Sequence, residues 1–141
     1  MGDPADVMKG WFRAIDDGDV DRALSFCAED VEWVAPSGVM KGHKPCANFF
    51  GSFVEAFPDN RFQVERLITS GNTVVAEGAY VGTHRGTFRT PTGEIPPTGR
   101  GVSVPFASLT EVEGDHIAKL RVYWDQMDFM SQLGLPQPPS A

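Results

Sequence analysis

A carboxylate stands at the end of an aromatic strand. Residues Ile117 to Trp124 form an apolar stretch that runs directly into Asp125, inside the segment RVYWDQMDFMSQLGL, which leads on to Pro136. An acid in that place has two possible tasks. It could act as a general base on carbon next to a carbonyl, provided that poorly hydrated aromatic walls raise its proton affinity. It could equally cap a turn beginning at Gln126, with Asp128 three residues on. His84, which follows Thr83 at the end of an inner strand, could donate to a carbonyl or shuttle a proton. Its plainer reading is a hairpin histidine bonded to backbone. Of the other histidines, His43 reads as a helix-start residue and His116 as a solvated one beside a Glu-Gly-Asp turn.

Strand parity bears on Asp125. Ala118, Leu120, Val122 and Trp124 share one face; Lys119, Arg121, Tyr123 and Asp125 share the other. If the second face lines a pocket, Arg121 and Tyr123 sit there with Asp125, and the arginine opposes the effect of the aromatic walls. A bulge near Tyr123 would separate them. Trp11, Trp33, Phe50, Phe53 and Tyr80 are the candidate walls of such a pocket, although aromatics at these spacings serve equally well as plain core.

Other chemistries lack their residues. Three scattered histidines have no metal-ligand spacing. No serine sits at a strand–turn–helix elbow, and no Gly-rich phosphate motif is present. The net charge of −7, from 12 basic and 19 acidic residues, comes with no basic stripe, which argues against nucleic acid or an anionic membrane surface as partner. No apolar run is long enough to span a bilayer. The opening MGDPADVMKG lacks the basic region and apolar stretch of a signal peptide. Cys27 and Cys46 form no paired motif and read as reduced core thiols in helical surroundings, so a cytoplasmic protein is expected.

The elements that must position these residues follow from local signals. Asp3-Pro4 starts a helix carrying Val7, Met8, Trp11, Phe12 and Ile15, and Gly18 stops it. Asp19 caps a short second helix. Residues Val31 to Pro36 read as a strand. Pro45 opens a third helix, with Phe49, Phe50, Phe53, Val54 and Phe57 on one face, and Pro58 ends it. Gly51 inside it suggests close packing. Arg61–Thr69 and Thr73–Thr83 are strands joined by a Ser-Gly-Asn hairpin. Gly86 to Gly101 reads as a short strand followed by an exposed loop. Val102–Val112, with Pro105 marking a bulge or edge, and Ile117–Trp124 complete the sheet. Met127–Leu133 is one or two helical turns. With 141 residues, 41% of them hydrophobic and 11% aromatic, the chain suits one domain over 1–135 with a loose tail at 136–141. Helices covering one face of a curved, mainly antiparallel sheet make an α+β domain with an opening for a small molecule.

Four pieces of the chain resemble the SnoaL-like polyketide cyclases, within the nuclear-transport-factor-2-like superfamily that also holds ketosteroid isomerase and scytalone dehydratase. They are Phe57-Pro58-Asp59, Gly82-Thr83-His84 with Gly86, Pro96 to Arg100, and Tyr123-Trp124-Asp125 running into Gln132-Leu133-Gly134. The resemblance implies a cone-shaped α+β barrel, in which three N-terminal helices pack on a strongly curved mixed sheet. It also implies a homodimer through the sheet's outer face, a pocket for a small hydrophobic molecule, and neither metal nor organic cofactor. In those cyclases an aspartate on the last long strand is the acid–base, matching Asp125, with a histidine often on the preceding strand. Here that strand, VPFASLTEV, offers Ser108, Thr110 and Glu111 instead. Two functions are therefore carried forward. One is a cofactor-independent cyclase or isomerase acting on a carbonyl-containing, polyketide-like molecule, with Asp125 and His84 catalytic; the same pocket could also serve an epoxide hydrolase or dehydratase. The other is a non-catalytic binding module or carrier.

Overall fold

The structure, a computed structural model, describes residues 3–90 and 93–135; the tail expected at 136–141 lies outside the described residues. The chain begins with the helix that its capping signal foretold. Asp3 accepts from the Ala5 amide at 2.9 Å, and α1 (Pro4–Asp16) buries Val7, Met8, Trp11, Phe12, Ala14 and Ile15 along one stripe. A second aspartate cap, Asp19 accepting from Arg22 N at 3.0 Å, starts the short α2 (Val20–Ser25). Strand β1 (Cys27–Ala35) then turns back as β2 (Gly38–Lys41). Helix α3 (His43–Ala56) follows. After it come β3 (Arg61–Ser70), β4 (Thr73–Thr83), β5 (Phe88–Thr90), β6 (Gly93–Ile95), β7 (Gly101–Glu113), β8 (His116–Trp124) and a closing α4 (Gln126–Gln132).

Six strands form one curved sheet in the order β2-β1-β8-β7-β4-β3, antiparallel except where β1 runs parallel to β8. Helices α1 and α3 lie over its inner face. Alternation along β7 is regular: Val102, Val104, Phe106, Ser108, Thr110 and Val112 are buried, while the odd-numbered neighbours face outward. A register shift between Val64 and Arg66 in the β3–β4 pairing leaves Glu65 unpaired and keeps both Phe62 and Leu67 on the inner side. The mixed α+β architecture expected of the sequence is present.

Several local expectations needed correction. Cys27 opens β1 rather than ending a helix, because Phe26 closes α2 and the Ile117 amide bonds the Phe26 carbonyl at 2.7 Å. Helix α3 starts two residues before Pro45, at His43, whose Nε2 lies 3.1 and 3.0 Å from the carbonyls of Cys27 and Ala28. Gly51 is not closely packed: a methyl group there would meet nothing within 4 Å. The stretch from Gly86 to Gly101 holds a small hairpin, β5 with β6, rather than one strand and a loop. Pro105 lies in an inner strand, but beyond the point where β8 ends at Trp124 opposite Phe106. There the side-chain amide of Gln132 takes the missing strand's place: Ser103 N donates to its Oε1 at 2.7 Å, and its Nε2 donates to Ser103 O at 3.0 Å.

Candidate functional site

The inner face of the sheet and the underside of α3 enclose a cavity of about 50 Å³. It is lined by Ile15 of α1, Phe49, Phe50 and Phe53 of α3, Trp33 of β1, Asn60 and Phe62 at the start of β3, Tyr80 of β4, Val104 and Phe106 of β7, Val122 and Trp124 of β8, and Phe129 of α4. No lining residue is charged. Parity explains the set: Trp33 and Leu120, Phe62 and Tyr80, and Phe106 and Trp124 are cross-strand partners on the inner side. Phe53 stands at the centre, with its ring centroid 5.1 Å from Phe49 and Phe88, 6.0 Å from Tyr80, and 6.1 Å from Trp124 and Phe129.

Among these walls Asn60 and Tyr80 bring an amide and a hydroxyl together. Asn60 is 1% exposed, and its backbone is fixed by its own N–H to Phe57 O at 2.9 Å. Its Nδ2 donates to Tyr80 Oη at 3.2 Å, leaving Oδ1 buried without a partner. Burial pushes the Tyr80 phenol far above its usual range, with Asn60 opposing and Asp59 and Asp16 adding to the rise. Tyr80 therefore stays a hydroxyl, and its O–H is a donor. Trp33 contributes an unpartnered indole N–H from β1, three strands along the sheet from β4. Asp16 lies beside the site but bonds Phe62 N at 2.8 Å, tying the end of α1 to β3; burial raises its carboxyl.

The residues singled out by sequence divide sharply. Trp33, Phe50, Phe53 and Tyr80 line the cavity. Trp11 lies one layer behind, against Trp33, Phe50 and Phe62. Arg121 and Tyr123 point to the opposite side of the sheet, Arg121 3.9 Å from Glu111 and Tyr123 54% exposed. No bulge intervenes at Tyr123: pairing is regular from Phe106–Trp124 to Glu111–Lys119, and the shift falls at Glu111/Val112. Asp125 is exposed and is the N-cap of α4, accepting from Asp128 N at 3.1 Å. The placement of Asp125 in a pocket with Arg121 and Tyr123 is thus overturned: the strand ends at Trp124, and the carboxylate turns to the orphan amides of the helix.

His84 is fully buried but is not among the lining residues; Phe57 stands against it, centroids 5.4 Å apart. It holds the segment that re-enters β7. Thr98 N donates to Nδ1 at 3.2 Å, with Thr98 Oγ1 3.0 Å away, while its backbone bonds Arg100 O and Gly99 N. An Nδ1 that accepts a hydrogen bond leaves the proton on Nε2. Burial lowers its proton affinity, and the Gly86 backbone partly restores it. Sequence reasoning missed Asn60 as a site residue. Its only signal was a polar side chain between the Pro58-Asp59 turn and an aromatic strand.

Among the described residues no three of His, Cys, Asp and Glu gather as metal ligands, and no helix is long and apolar enough to cross a membrane. The two thiols are separate and buried; burial pushes Cys27 up to about 12 and Cys46 to about 11.

A curved mixed sheet and the helices over it, with an apolar hollow between them, match the nuclear-transport-factor-2-like class of cone folds. The chain belongs to the SnoaL-like polyketide cyclase family, whose model matches residues 5–133. Among solved structures it is similar to a candidate SnoaL-like polyketide cyclase from Jannaschia sp. CCS1, with a TM-score of 0.82, 20% identity and coverage of 95% of this chain and 93% of that one. It is similar also to IdmH, a candidate polyketide cyclase from Streptomyces antibioticus (TM-score 0.78, 20% identity, coverage 95% and 100%). A third is TerC co-crystallized with polyporic acid (TM-score 0.74, 18% identity, coverage 93% and 98%). No curated protein matches.

Proposed function

We propose that the chain binds a small, neutral, hydrophobic molecule bearing a carbonyl or hydroxyl oxygen inside the cone, with that oxygen accepting from the Tyr80 O–H beside Asn60. One observation carries the reading: Asn60 and Tyr80, among the residues lining an otherwise apolar cavity, bond each other directly behind its surface and leave the Asn60 oxygen buried and unpartnered. Buried polar groups without partners are costly unless a ligand completes them. The hollow of about 50 Å³ is well below the several hundred Å³ of a drug-sized site. A flat polyketide-like guest therefore requires the half-buried rings of Phe49, Phe53 and Trp124 to turn aside. Polyporic acid in TerC supports an aromatic, oxygenated guest for this fold.

A second reading is turnover by a cofactor-independent cyclase or isomerase, favoured by the family and by Tyr80, a desolvated donor suited to a developing enolate oxygen. Asp125 takes no part in this reading, since it is exposed and engaged in capping. Proton abstraction would fall to the substrate's own groups or to solvent. Incubating an aromatic ketone with the protein in deuterium oxide separates the two. Binding with α-proton exchange that is abolished in Tyr80→Phe indicates an enzyme; binding without exchange indicates a carrier; absence of binding removes both.

We also propose a homodimer through the outer sheet face. The register aligns Ile68, Val75 and Leu109 in one apolar row beside Arg121 and Val34, and Ile68 is 52% exposed.

A further inference from the structure

The Asn60–Tyr80 pair says more about the guest than that it is apolar. The amide uses one of its two N–H bonds on Tyr80 Oη, so the pair keeps two donors, the Tyr80 O–H and the second Asn60 N–H, and one acceptor, Asn60 Oδ1. A ketone fills only donors and leaves the acceptor buried and unmatched. A carboxylate meets an acceptor it repels and, with no charged residue in the lining, loses its hydration without a counter-charge. A group that donates and accepts at one oxygen fills the acceptor as well.

We infer that the cavity selects a hydroxyl-type oxygen that both donates and accepts, as an enol, phenol or alcohol does, over a simple ketone on the same carbon frame. The selection rests on the proposed binding at Tyr80 and Asn60. It also assigns Asn60 a part of its own. Asn60 is the residue that distinguishes the two tautomers of a carbonyl guest, whereas Tyr80 serves both.

Phenol, cyclohexanone and toluene, close in size, supply the comparison: donor and acceptor sides both matched, the donor side alone, and neither. Their dissociation constants are measured by calorimetry on the wild-type chain, Asn60→Leu and Tyr80→Phe, with folding checked by circular dichroism and Tm. Phenol is expected to bind about tenfold more tightly than cyclohexanone, the effect of completing one more buried hydrogen bond. Asn60→Leu brings that ratio close to one and leaves toluene unchanged. Should Asn60→Leu not fold, the wild-type ratio carries the test, and Tyr80→Phe shows that the guests sit at this pair by weakening phenol and cyclohexanone but not toluene. Equal binding of phenol and cyclohexanone by the wild type, or a ratio unmoved in a folded Asn60→Leu, overturns the inference while binding in the cone stands. Failure of all three to bind a folded wild-type chain overturns the binding proposal itself and this inference with it.

Discussion

Replacing Asp125 separates the two tasks that its sequence position allowed. Its Oδ1 accepts from Asp128 N at 3.1 Å, and its charge sits at the positive end of α4. Asp125→Ala removes the acceptor and the charge together and should cost about 1 kcal/mol, within the range of about 0.5–2 for loss of such a cap. Asp125→Asn keeps an equally good capping acceptor and gives up only the charge–dipole part, a few tenths of a kcal/mol. In a chain of this length 1 kcal/mol moves Tm by about 3–5 °C. The loss should concentrate in α4, whose Phe129 and following Leu133 are buried with Phe57, Phe88, Val102 and Val104, so exchange of the α4 amides should quicken in the alanine variant first. Urea midpoints and amide exchange at pH 7 read both quantities. Equal destabilisation by Ala and Asn, or none by either, would refute the capping account. Loss of turnover in Asp125→Asn at unchanged stability would restore the residue as an acid–base group.

Other outcomes follow from the same geometry. Burial holds the His84 ring below its ordinary value of 6.5, so the unfolded chain takes up a proton that the native chain refuses. Stability should therefore be full above about pH 6.5 and fall as pH drops below it, and the difference in Tm between pH 7.5 and 5.5 should shrink in His84→Asn; an equal pH dependence in the variant would contradict this. Gly51→Ala should stabilise by about 0.5–1 kcal/mol, because the position is helical and open, and a lower urea midpoint would show hidden packing there. Gly86→Ala should destabilise by several kcal/mol, since its Cβ would fall 2.1 Å from Glu55 O, where Gly86 N already bonds Ala56 O; a Tm within 2 °C of wild type would contradict it. Leu109→Glu should give a monomer by light scattering at unchanged fold, and a dimer that persists would move the interface elsewhere.

Local chemistry made much of the frame legible. The Asp3 and Asp19 caps and the alternation of β7 and β8 arise within a few residues of chain, and the same parity placed Leu120, Val122 and Trp124 together. The parallel pairing of β1 with β8 joins segments some ninety residues apart, which no local pattern encodes. Asp125 was undecidable for a different reason: a base and a cap both need a carboxylate where a strand meets a helix, and only the end of pairing at Trp124 settles which way it turns. Four of the aromatic walls could be chosen because large rings at inward positions must meet. Asn60 could not, because its value lies in a partner twenty residues away, Tyr80, across the β3–β4 pair.

The side-chain amide of Asn60 and the indole N–H groups of Trp33 and Trp124 are direct reporters of the cavity by nitrogen-15 NMR. Titration with phenol should shift all three together, with the Asn60 amide moving most. Shifts confined to the open groove between α1 and β3, near Lys9, Asp16 and Glu65, or no shifts at saturating phenol, would contradict a binding site inside the cone.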